Sequence, residues 1–122
     1  MTEKKAKVAL VLDTEKGLER FMGNKGLYCQ YLEKFFYDPA FEEFMRGLSI
    51  GDQTMANKAL ITLKGTAANL SMDKLVQTVD TALNGLRTCD SESELQRLMD
   101  AVTESYATAC ETAREYMARE NP

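Results

Sequence analysis

Apolar residues recur at intervals of three and four along nearly the whole chain, and no stretch alternates with a period of two. That pattern predicts helices and no strands. Asp13 or Thr14 can cap a short helix over residues 14 to 22, with Leu18, Phe21 and Met22 on one side and Gly23 and Asn24 ending it. Residues 25 to 37 place Tyr28, Leu32, Phe35 and Phe36 on one face. The stretch "DPAFEEF" restarts the chain, because Asp38 suits an N-cap and Pro39 the first helical position. Phe41, Phe44, Met45 and Leu48 extend that face as far as Gly51. A helix over 52 to 70, a turn at 71 to 73 and a helix over 74 to 88 follow, the last with Leu75, Val76, Val79, Leu83 and Leu86 on one stripe. Ser91 and Glu94 form a capping box for a final helix over about 92 to 119. Short loops between amphipathic helices predict an all-α fold, an antiparallel up-and-down four-helix bundle with short additional N-terminal helical segments. The chain's length fits a single domain over residues 1–122.

The segment "ITLKGTAANLS", residues 61 to 71, poses a problem within this pattern. A glycine inside a helix costs about 1 kcal/mol relative to alanine, so Gly65 requires a reason. At about 100° per residue, Ala56, Ala59, Leu60, Leu63, Ala67 and Leu70 gather within about 60° of Leu63 and form the stripe to be buried. Ile61 falls about 160° from Leu63, on the far side, among Thr54, Asn57, Lys58, Lys64, Gly65 and Ala68. A large β-branched side chain therefore stands at the centre of a polar or small face. Close internal packing does not account for a glycine on that side; approach by an outside partner does.

Composition narrows the chemistry. The net charge of −4 and the lack of a Lys/Arg run argue against nucleic acid. Lys4, Lys5 and Lys7 read as a solvated N-terminus. No segment has the apolar length of a membrane span, and residues 8 to 12 are too short for a signal-peptide core. A cytoplasmic location is expected, in keeping with Cys29, Cys89 and Cys110, which form no CxxC pair. The seven methionines and ten aromatics sit mostly at helix-face spacings and read as core. The chain has no histidine. Ser-His-Asp and Cys-His pairs, His-bearing metal sites and phosphohistidine chemistry are thereby removed, and no metal or cofactor is expected.

These residues carry a resemblance. "ITLKGTAANLS" resembles the signature of histidine-containing phosphotransfer domains, in which a helix carries His-x-Leu-Lys-Gly followed by small residues. Leu63, Lys64, Gly65, Ala67, Ala68, Asn69 and Leu70 stand where that pattern wants them. The upstream "GLERFMGNKGLYCQYLEKFF" is similar to the family's first segments, and the likeness spans about residues 13–118. Members of the family pass a phosphoryl group between an aspartate on a receiver domain and the helix histidine. Here that position is Ile61, which has no nucleophilic atom. Thr62 has a hydroxyl, but it lies about 100° round the helix with no base to activate it. Ser71 stands where the family commonly has glycine, and it is expected to cap the next helix instead.

The resemblance implies a phosphorelay module that binds a response-regulator receiver domain or a hybrid histidine kinase and carries no phosphoryl group, so not an enzyme. Its expected partner-binding residues are Ile61, Lys64, Gly65, Ala68, Asn57 and Lys58, with Lys64 reaching into an acidic pocket of the partner. A monomer without nucleic-acid or membrane partners is expected. The alternative is a non-enzymatic helical scaffold that keeps the fold without binding receivers and uses other surfaces, such as that of Glu104, Glu111 and Glu115.

Overall fold

The computed structural model describes residues 11–120, and all of its regular structure is helical. In chain order the helices are α1 (Thr14–Arg20), α2 (Lys25–Phe35), α3 (Ala40–Ser49), α4 (Gln53–Asn69), α5 (Asp73–Thr88) and α6 (Glu92–Glu120). The expectations for Lys4, Lys5, Lys7 and residues 8 to 10 lie outside the described residues. Among the described residues no helix is long and apolar enough to cross a membrane.

Side-chain caps set most helix starts by satisfying N–H groups that have no intrahelical partner. Asp13 accepts from Lys16 N, Asn24 from Leu27 N, Asp52 from Met55 N and Ser91 from Glu94 N, at 3.0–3.2 Å. At α3 the helix begins one residue later than expected, at Ala40, yet the Asp38 carboxylate still accepts the Ala40 N–H at 2.8 Å. Two ends differ from expectation. Helix α1 stops at Arg20 because Met22 and Gly23 both turn to positive φ, with Gly23 N donating back to Leu18 O at 2.8 Å. This reversal swings Met22 outward to 95% exposure, so it is not part of the apolar face. Helix α2 stops at Phe35, and the turn before Pro39 leaves Tyr37 at 80% exposure.

The core is one cluster contributed by every long helix. Helix α3 packs on α4, α4 on α5, and α5 on α6. The 29-residue α6 spans the molecule. Its Tyr106 ring stacks on Phe41 of α3 at 4.3 Å and meets Phe35 of α2 at 5.3 Å. Towards its C-terminus Tyr116 meets Tyr28, and Glu120 pairs with Lys25 at 2.7 Å. Glycines allow three of the close approaches. A Cβ at Gly17 would stand 2.4 Å from the Tyr28 ring, one at Gly47 2.7 Å from Ala56 N, and one at Gly85 2.9 Å from the Leu98 methyls.

The α4–α5 turn is where sequence expectation fails. Ser71 does not cap α5: Met72 occupies that position, and the Ser71 hydroxyl is buried with no hydrogen-bond partner. Ser71 instead takes a left-handed backbone, φ 60°, which glycine would adopt without strain. The chain holds it there from outside. Asp13 N donates to Ser71 O at 2.9 Å, and the buried Tyr28 hydroxyl donates to Leu70 O at 2.9 Å. Lys16 adds an ion pair to Asp73 at 3.5 Å.

Ser71→Gly relieves both the backbone strain and the orphaned hydroxyl, offset in part by glycine's larger unfolded-state entropy. It should stabilise the fold by about 0.5–1 kcal/mol, raising Tm by about 2–5 °C in a calorimetric scan. Burial lifts the Tyr28 hydroxyl well above the usual tyrosine range, and the neighbouring Tyr116 adds to the rise. A folded-state pKa above the unfolded one means this contribution is complete below about pH 10 and lost as pH climbs past it. Circular dichroism should therefore show alkaline unfolding above about pH 10. Tyr28→Phe should flatten that limb and cost about 1 kcal/mol at neutral pH for the lost bond to Leu70.

Candidate functional site

Helix α4 buries one stripe. Ala56, Ala59, Leu60, Leu63, Ala67 and Leu70 are each at most 2% exposed. Because successive residues are about 100° apart, burying Leu63 turns Ile61 to the opposite side, and Ile61 is 60% exposed. Gly65, one turn on, is also exposed, and a Cβ built there meets nothing within 4 Å. Gly17, Gly47 and Gly85 each make room for a neighbour, but Gly65 does not. Its backbone lies bare beside a protruding isoleucine. Lys58, one turn before Ile61, is exposed as well, and Ala68 is half-buried. Thr62 is exposed, and its carbonyl accepts from the Thr66 hydroxyl at 3.2 Å.

Two of the expected docking residues are placed differently. Asn57 is half-buried, and its Oδ1 is enclosed without a hydrogen-bond partner, so it does not offer that oxygen to a visitor. It shares a flank with Gln53, one turn before, which donates to Leu86 O of α5 at 2.8 Å, and with Lys64, two turns on, which also meets α5. Lys64 is not free to reach outward, since its Nζ pairs with Asp80 Oδ1 on α5 at 2.6 Å. Both side chains keep water contact, at 41% and 47% exposure, so the pair is a surface one.

Asp80 is the residue that reasoning along α4 misses. A signal for it exists. Lys64 and Asp80 are each eight residues from Met72, where the chain reverses, and two helices joined by a tight turn bring equidistant positions together.

Reactive chemistry is sparse around this face. The three thiols are unbridged: Cys110 is buried, and Cys29 and Cys89 are half-buried. Burial pushes the Cys29 and Cys110 thiols up, away from the nucleophilic thiolate. No group of three or more Cys, Asp or Glu residues is arranged to hold a metal ion among the described residues. A cleft of about 570 Å³ lies between α5 and α6, lined by Lys74, Thr78, Ala101 and Ser105 among others, and takes no residue from α4. The exposed Ile61 side chain thus stands apart from that cleft.

Comparison of the chain with family models, with curated proteins and with solved structures gave no match.

Replacing Gly65 with alanine should stabilise the protein by about 0.5–1 kcal/mol, because a methyl group there obstructs nothing and improves helix propensity. Gly47→Ala should instead lower stability by about 1–3 kcal/mol, since its methyl group would strike the α4 backbone. Urea titrations of the two variants check this contrast.

Proposed function

We propose that this chain is a non-catalytic counterpart of the histidine-containing phosphotransfer domain, binding a receiver domain or a hybrid histidine kinase without accepting a phosphoryl group. In this reading the helices form an antiparallel up-and-down bundle. Helix α6 is one member, α4 and α5 are two more, and α2 with α3 make a broken fourth rod. The pairings of Lys25 with Glu120, Phe35 with Tyr106 and Met45 with Thr103 suit that arrangement, because positions rise along one rod as they fall along the other.

The observation that carries the proposal is the pairing of an exposed Ile61 with a bare Gly65 on one face of α4. Each alone is ordinary; a lone exposed hydrophobe needs no explanation. Together they make an apolar knob beside a stretch of backbone that a partner can touch. The resemblance in "ITLKGTAANLS" supplies the kind of partner. The same position accounts for the absent chemistry, since an isoleucine cannot form a phosphoramidate, and burial pushes the Cys29 and Cys110 thiols up, away from the thiolate.

The experiment is a binding and labelling assay against the receiver domains of the host. A receiver should be retained by the wild-type chain, and a phosphorylated receiver should transfer no label to it. Gly65→Gln should weaken retention about tenfold or more by blocking the backbone, while circular dichroism shows the helices intact. Retention of no receiver at all favours the scaffold reading. Label on the wild-type chain would end the non-catalytic claim.

A further inference from the structure

We infer that the Ile61 face selects a partner in its unphosphorylated form, and that Asp80 is the residue that sets this selection. The inference rests on the receiver-binding reading and adds to it a preference between two states of the same partner.

The argument is electrostatic and begins with the Ile61 side chain. At 60% exposure it is the group a docking surface meets first. It offers no hydrogen-bond donor. An aspartyl phosphate pressed against it would lose hydration from a multiply charged anion and receive nothing in return. A bare ammonium at Lys64 could offset that cost, but Lys64 lies 2.6 Å from the Asp80 carboxylate. An approaching anion therefore meets the weak field of a cation–carboxylate pair, not that of an isolated cation. If Lys64 swings towards the phosphate, it leaves Asp80 unpaired beside the same anion, so that one attraction is exchanged for another and a repulsion is added. Lys58 is exposed and draws an acidic partner in either state. A partner surface without the phosphoryl group lets Ile61 bury apolar area at no such cost and leaves the Lys64–Asp80 pair intact.

The effect is modest because both members of the pair are partly hydrated, and it shrinks as salt rises. The test uses the receiver retained in the binding assay, titrated as the free domain and as its beryllofluoride adduct, which stands in for the aspartyl phosphate. At low ionic strength the wild-type chain should bind the free domain more tightly. Asp80→Asn releases Lys64 and should cut that preference by a factor on the order of three. Lys64→Gln leaves the Asp80 carboxylate unpaired and should enlarge the preference by a similar factor, so the two variants move the ratio in opposite directions. Equal binding of the two forms, tighter binding of the adduct, or a ratio that neither variant changes would overturn this inference and leave receiver binding standing. Failure of every receiver to bind in either form would overturn both.

Discussion

Burial of Leu63 is the constraint on which the surface of this protein depends. A helix turns about 100° per residue, so whatever face holds Leu63 in the core must carry Ile61 to the opposite side. The stripe around Leu63 is strongly fixed, because Ala56, Ala59, Leu60, Ala67 and Leu70 are buried with it. Rotating α4 enough to cover Ile61 would drag several of these into water, at about 1.5–3 kcal/mol for each large side chain. That loss is a large share of a typical domain's total stability. The exposure of Ile61 is therefore imposed by the core.

The second constraint is axial. Helix rotation decides which residues face outward, and the α4–α5 turn decides what stands beside them. Ser71 reverses the chain in a left-handed conformation, with its carbonyl held by Asp13 N and the preceding carbonyl by the Tyr28 hydroxyl. These contacts come from the N-terminal part of the chain, far in sequence from the turn they hold. Their effect is to set the register of α5 against α4, and that register brings Asp80 to Lys64. Anchoring at the buried end of the hairpin thus determines the charge seen at its exposed flank.

Much of this was legible from periodicity. All six helices of the described residues begin within a residue of the predicted starts, since caps such as Asn24, Asp52 and Ser91 are local signals. The outward position of Ile61 and Gly65 was legible for the same reason: it needs only the geometry of one helix. What failed needed a second element. Asn57 sits on the correct side of an isolated α4, but it shares a flank with Gln53 and Lys64, both of which meet α5. Met22 fits the apolar face of a helix that has already ended, because two consecutive left-handed residues turn it away. Ser71 is a good capping residue by type. Its backbone is instead committed to the reversal, and its side chain is sealed inside.

Gly65 illustrates how a structural cost can be weighed against alternatives. Besides Gly26 in the first turn of α2, four glycines lie inside regular helices, at positions 17, 47, 65 and 85. At three of them a side chain would collide with a ring, a backbone or a pair of methyl groups, so the fold itself requires their smallness. The propensity cost of about 1 kcal/mol is there offset by close packing. At Gly65 the same cost is incurred with no atom near enough to benefit. It falls one turn from an isoleucine whose apolar surface is also left in water. Two unrelated costs at adjacent positions of one face share a single physical remedy. A surface that lies against α4 there would bury the isoleucine and use the gap above the glycine, and no contact inside the described chain does either.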